Sequence, residues 1–252
     1  MARRPRLFLP GQPHHVIQRG NNRSHMFATE DDFYFFQTCF VEAASAAGVA
    51  VHAYSWMPNH VHALATPEKT ESISTMMQAV GRRYVQHFNR TRWRTGTLWE
   101  GRFRATLIDS DRYFFTCSRY IEWNALRAGL VTRPEDYQWS SYGANALGRP
   151  DELITPHPLY LSLAKDGKGR QAAYRRLFDH PLREEELADI RHATNRAWVL
   201  GTTAFKAHVE SLAGRRVSPL AVRRGRRGPR GRPANEGLTP YSEGSDPTSG
   251  GV

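Results

Sequence analysis

The sequence predicts an α+β fold: a four-stranded antiparallel sheet with helices on one face, then a small helical region and a disordered basic tail. Three observations predict it. Stretches of period-two and period-3.6 hydrophobicity follow one another in the order β, α, β, β, α, β. One link in that series, Met57-Pro58-Asn59, is a tight reversal that makes the middle strands a hairpin. Each long helix carries an apolar stripe, a single face to bury against a sheet. Helices between strands around a central hairpin give the split βαβ arrangement of a ferredoxin-like sheet, and they leave its other face available for ligands.

The elements follow in order. Residues 1–13, with Arg3, Arg4, Arg6 and three prolines, read as an extended basic arm. His14 to Gln18 alternates as a first strand, and Arg19-Gly20-Asn21-Asn22-Arg23 is a Gly/Asn turn that offers guanidinium groups and backbone N–H to phosphate or simply reverses the chain. Thr29-Glu30-Asp31-Asp32 starts a helix with a hydroxyl at the N-cap and acids in the first turn, and Gly48 ends it. Its Phe33, Phe36, Phe40 and Ala44 stripe is core. Val49 to Trp56 and His60 to Thr66 form the hairpin. Thr70 to Asn89 is the second helix, with Ile73, Met76, Met77, Val80, Tyr84 and Phe88 at helical spacing. Phe103 to Ile108 is the fourth strand, and Asp109-Ser110-Asp111 caps a helix that runs to Asn124 or beyond.

Composition narrows the partners. The net charge is +11, from 35 Lys+Arg against 24 Asp+Glu, and nearly all of the basic side is arginine. Arginine grips phosphate through a planar fork, so a polyanion is the first partner to consider. Arg82, Arg83, Arg90, Arg92, Arg94, Arg102 and Arg104 interleave with Tyr84, Trp93, Trp99 and Phe103 against Glu100 alone. Guanidinium for phosphate and rings for unstacked bases is what a groove for single-stranded nucleic acid needs, and a solvated helix face with core aromatics is the other reading of the same pattern. Two cysteines, Cys39 and Cys117, exclude a zinc ribbon or a disulfide framework. Without a secretory pattern or an apolar run of spanning length, the expectation is a soluble, intracellular protein with no membrane partner.

The stretch with the most chemistry is Pro58-Asn59-His60-Val61-His62-Ala63-Leu64. Residues two apart on a strand share a face, so His60 and His62 converge while Val61 turns into the core. Two imidazoles make a metal clip with most of the coordination sphere open, or a hydrogen-bonded structural pair. On the later helix Tyr120 and Asn124 stack on one face, four residues apart, with Tyr113 two turns earlier.

Read together, these motifs resemble the single-tyrosine HUH transposases (IS200-like), and within them the REP-associated tyrosine transposases of bacteria. The resemblance runs from about Gly11 to Tyr142. It rests on Arg19-Gly20-Asn21-Asn22-Arg23, on Met57-Pro58-Asn59-His60-Val61-His62, on the run from Tyr120 through Asn124 to Val131, and on Trp139-Ser140-Ser141-Tyr142. Where that family usually has Asn-Pro-Val-Arg-Ala, this chain has Asn124-Ala125-Leu126-Arg127-Ala128, without the proline that helps to end a helix.

The resemblance implies that His60, His62 and Asn124 bind Mg²⁺ or Mn²⁺ and that Tyr120 is the catalytic nucleophile. It implies cleavage and transfer of single-stranded or hairpin DNA of REP type through a 5′-phosphotyrosine linkage, in a bacterial cytoplasm and on the nucleoid when DNA is bound. No small-molecule substrate is expected, and monomer and homodimer both stay open. Arg19, Asn21, Arg23, Arg82, Arg83, Arg102 and Arg104 are the candidate DNA grip. In the tail, Arg223, Arg224, Arg226 and Arg227 belong to a run of eight arginines without an acid between Arg215 and Pro233, like a minor-groove hook or an electrostatic tether.

Domain boundaries are expected at 1–145 for the transposase domain, 146–213 for a helical appendage and 214–252 for the tail. The competing readings are a hairpin-binding regulator that does not cut and, less well supported, a zinc hydrolase. The hydrolase lacks an acid near the histidines. Glu122, its best candidate base, points roughly two hundred degrees away from Tyr120 on an ideal helix.

Overall fold

The computed structural model describes residues 6–219. Arg3, Arg4 and the tail with Arg223, Arg224, Arg226 and Arg227, expected to be disordered, lie outside the described residues. The first 122 residues hold β1 (His14–Arg19), α1 (Glu30–Ala47), β2 (Val49–Met57), β3 (His60–Pro67), α2 (Ser72–Thr91), β4 (Arg104–Leu107) and α3 (Ser110–Glu122). The strand order is β2-β3-β1-β4 with every pair antiparallel, which is the ferredoxin-like topology.

Local chemistry accounts for these elements. Asp32 accepts from the N–H groups of Ala28 and Thr29 and fixes the start of α1, while Gly48 closes it at φ 63°. Period two splits the strands, interrupted once by a bulge in β2 between Val51 and Ala53. Val16, Tyr54, Trp56, Val61, Ala63, Ala65 and Ala105 face α1 and α2 and meet Phe36, Phe40, Met76, Val80 and Tyr84. Each fully buried Val, Phe or Met among these contributes about 1.5–3 kcal/mol through the water it sheds.

The opposite face differs from the expectation of an open surface. Helix α3 lies on it, with Phe114, Cys117 and Ile121 packed on Ala53 and Leu64, and Ile190 and Trp198 complete that cluster. The sheet is covered there because α3 has its own apolar stripe, leaving the His60 end of β3 as the accessible part. The final expected helix also divides: α3 stops at Glu122, and α4 (Asn124–Arg127) follows after Trp123. A break at that point arises without the missing proline.

Beyond it come α5 (Tyr142–Leu147), α6 (Pro158–Leu161), α7 (Gly167–Arg176), α8 (Glu184–Arg196) and α9 (Thr203–Ala213). The segments between them cover both sheet edges. The Trp56 N–H donates to the Trp139 carbonyl at 2.8 Å and Thr155 N–H to Val51 at 2.7 Å, along β2. Leu200 N–H donates to Leu107 at 2.9 Å, along β4. Edge strands with unpaired backbone groups are thereby closed to other chains. No helix among the described residues is long and apolar enough to cross a membrane.

Two histidines support this frame as neutral rings. His14 has Gln12 O at 2.8 Å from Nδ1, and His52 has Thr155 O at 2.7 Å and Thr66 Oγ1 at 2.9 Å. Burial pushes each down to about 4. In the unfolded chain they protonate near 6.5, so the stability they contribute is present above that pH and lost as pH falls towards 4, on the order of 3 kcal/mol each. Urea unfolding is expected to show stability declining from pH 6.5 to 4, less steeply in His52→Gln. A flat profile over that window would contradict the assignment.

Candidate active site

Three elements converge at the open end of the second face. Strand β3 delivers His60 and His62, β1 delivers His15 and Arg19, and the α3–α4 junction delivers Tyr120, Asn124 and Arg127. Antiparallel register sets Arg19 opposite His60 and Ile17 opposite His62, which places His15 diagonally beside His62. The His60 and His62 rings stand 4.8 Å apart at 80°, and Tyr120 meets His62 edge-on at 5.9 Å and His15 at 5.7 Å.

Hydrogen bonds fix the imidazoles. His60 Nδ1 lies 2.6 Å from Asn59 Oδ1, so its Nε2 lone pair faces Asn124, whose Nδ2 is 3.2 Å away. His62 Nδ1 lies 2.8 Å from His15 Nε2, and His15 Nδ1 lies 3.4 Å from Thr194 Oγ1. When His15 donates to Thr194 and accepts from His62, the Nε2 of His62 is also left as a lone pair. A neighbour that sets the tautomer in this way is the usual support of a metal-ligating histidine.

Electrostatics keep the rings neutral. Burial holds His60 down at about 4 and His15 at about 3, and pushes His62 well below its ordinary value. Arg19 and Arg127 add to the depression at His60 and His62. Neutral rings are the ligand form, and two imidazoles with an amide fit a divalent ion that keeps positions open for water or phosphate oxygens. Among the described residues no three His, Cys, Asp or Glu side chains cluster as an all-protein metal cage.

Arg127 ties the junction together. Its guanidinium carbon sits 4.1 Å from the centre of the Tyr120 ring, and Nη2 donates to Tyr120 O at 2.9 Å and to Asn124 Oδ1 at 3.4 Å. Its Nε and Nη1 are buried without a hydrogen-bond partner among the described residues.

The other expected site residues divide by position. In the turn after β1, Gly20 N–H donates to Asn59 O and Asn21 N–H to Leu98 O, both at 2.9 Å, so Arg19, Asn21 and Arg23 border the His60 end. A Cβ on Gly20 would run into the Ser24 carbonyl, which explains the glycine. Arg104 donates to Asn195 Oδ1 at 2.8 Å on the β4 edge. Arg102 lines both a small recess with Arg19 and Arg104 and a cleft of about 720 Å³ on the far face, shared with Arg82, Trp99 and Phe103. Arg82 and Arg83 therefore lie on the α2 side of the sheet, away from the imidazoles, and Arg83 is paired with Glu42.

Glu122 does not reach the histidines. It is fully buried, accepting from Ser141 Oγ at 2.5 Å, Asn145 Nδ2 at 2.9 Å and Tyr174 OH at 2.8 Å. As a hydrolytic base it is excluded by position. His15 and Arg127 are the site residues that the sequence reading assigned no role. The signal for His15 was its period-two spacing from Ile17, which becomes informative only once β1 is paired with β3.

The sequence model of a family described as IS200-like transposase matches residues 11–124. A solved structure of a REP-associated tyrosine transposase bound to a REP hairpin is similar, at 17% identity over 62% of this chain and 93% of that one, with a TM-score of 0.51. A crystal structure of a candidate transposase from Deinococcus radiodurans R1 aligns at 22% identity over 48% of this chain and 96% of that one, with a TM-score of 0.33. None of the curated proteins compared matches the chain. Residues 11–124, which hold the paired histidines, Tyr120 and Asn124, are thus similar to the IS200-like transposases.

Proposed function

We propose that the chain is a metal-dependent endonuclease and strand transferase of single-stranded DNA, acting on hairpin DNA through Tyr120. The observation that carries this reading is the meeting of two neutral imidazoles, a phenol and an amide from separate elements on one sheet face. That the similar solved transposase is bound to a REP hairpin supports a hairpin substrate. The work would take place in a bacterial cytoplasm, on the nucleoid.

His60, His62 and Asn124 would hold Mg²⁺ or Mn²⁺, which when bound polarises the scissile phosphate and eases its build-up of charge. His15 and Asn59 keep both imidazoles in the ligand tautomer. Arg127 braces the Tyr120 ring and carries N–H groups suited to a phosphate oxygen. The Tyr120 oxygen attacks phosphorus and loses its proton, the bond to the 3′-oxygen breaks, and that oxygen leaves as a 3′-hydroxyl after taking a proton. Because the 5′-phosphotyrosine retains the phosphodiester energy, a 3′-hydroxyl of another strand can reverse the step without ATP.

The test is a denaturing gel of end-labelled hairpin DNA with Mg²⁺ or Mn²⁺, comparing wild type with His60→Ala. Metal-dependent cutting that His60→Ala loses is expected. Tight hairpin binding without cutting by wild type, across hairpins from the gene's own neighbourhood, would favour the binding-regulator reading.

The edge arginines give a separate prediction. Arg102 and Arg104 lead from the Arg19 recess round β4, so both are assigned to the DNA backbone. Their joint replacement by alanine is expected to reduce the slope of log affinity against log salt by about 0.7 per lost single-strand contact. An unchanged affinity and slope would remove them from the interface.

A further inference from the structure

The C-terminal end of α2 is a Schellman cap with an unusual occupant. The Arg94 N–H donates to the Asn89 carbonyl at 3.0 Å, back across the cap at Arg92. Trp93 fills the left-handed position between them, at φ 50°. Glycine is preferred there because a side chain crowds the following carbonyl. Burial of the ring would compensate, yet Trp93 is 97% exposed.

The turn is not loose. Arg92 donates to Asp32 at 2.8 Å, Asn89 Nδ2 to Gly96 O at 2.8 Å, and the Arg94 guanidinium sits 5.5 Å from the Phe88 ring. The strained residue is thus held firmly with its largest apolar surface in water, and strain of this kind is retained where a ligand uses it.

The charge around the indole identifies the ligand class. Arg90 and Arg94 are exposed on either side, and no carboxylate occurs in sequence between Glu71 and Glu100. A flat apolar ring among cations is complementary to an unpaired base with its phosphates. We propose that Trp93 is a stacking platform for an unpaired base of single-stranded DNA, presented rigidly by the cap of α2. The identity of the polyanion rests on the functional reading above.

The test uses the full chain with fluorescein-labelled oligo(dT) and a duplex of equal length. Trp93→Gly is expected to lower single-strand affinity about tenfold or more while leaving duplex affinity unchanged. The same variant is expected to raise Tm by about 2–4 °C, because glycine relieves the cap. Trp93→Phe should keep most of the binding. Opposite signs for stability and binding separate a lost contact from a damaged fold.

An unchanged single-strand affinity would overturn the proposal, as would an equal loss on duplex. So would self-association of wild type that Trp93→Gly abolishes in sedimentation, since the occupant would then be a second copy. If wild type binds neither probe, the DNA reading itself fails. If wild type binds and both variants bind as well, only the stacking role falls.

Discussion

Glu122→Ala is expected to lower stability by about 3–5 kcal/mol, the cost of breaking a buried, hydrogen-bonded charge site by removing one partner. Burial raises the Glu122 carboxyl to about 7, while Ser141, Asn145 and Tyr174 hold it from three sides. Truncation leaves those donors facing an apolar void, and Ser141 is also the acceptor for the Tyr54 N–H at 2.8 Å. Against a typical total of about 5–15 kcal/mol the loss is severe. Glu122→Gln keeps the shape and part of the bonding, so about 1–2 kcal/mol is expected. Urea denaturation measures both, and an alanine variant within about 1 kcal/mol of wild type would show that the site relaxes.

The position of this carboxyl has a functional side. Glu122 lies between Tyr120 and Asn124 in sequence, and its donors come from Ser141 just before α5, from Asn145 within α5 and from Tyr174 in α7. Residues beyond the family match therefore brace the helix end on which the candidate nucleophile sits. Loss of Glu122 is expected to lower cleavage further than the unfolded fraction alone explains.

Tyr120→Phe carries the largest expected effect on activity. It deletes one oxygen and keeps the ring that contacts His15, His62 and Arg127. Fold and hairpin affinity should be unchanged while strand cleavage falls by at least about 10³-fold, or roughly 4 kcal/mol in the barrier. Residual cutting near the wild-type rate would move the role to another group, with Tyr113 next on the same helix face.

Much of this was legible in the sequence because it is local. Thr29 with the acids of the first turn marked α1, Gly48 ended it, the Met57-Pro58-Asn59 reversal set the hairpin, and period two turned His60 and His62 to one side. Those cues set the order of strands and helices, and connection rules leave few sheet topologies for that order, the ferredoxin-like one among them. What was not legible depends on contacts distant in sequence. The role of His15 follows from the β1–β3 register, and the cover on the second face from where α3 packs. Glu122 could be placed away from Tyr120 by helix geometry, but its partners Ser141, Asn145 and Tyr174 could not be named. Trp93 read as one aromatic among arginines, since only the backbone angle shows that it occupies a glycine position.

On the proposed function, Tyr120 becomes covalently joined to DNA. The most direct test is mass spectrometry of the wild-type protein after reaction with hairpin DNA and Mn²⁺, nuclease trimming and proteolysis. A nucleotide remnant linked through its 5′-phosphate to the peptide holding Tyr120, and absent when the metal is chelated, is the predicted result. A remnant on Tyr113 or elsewhere, or efficient cleavage with no protein-linked nucleotide, would contradict the account.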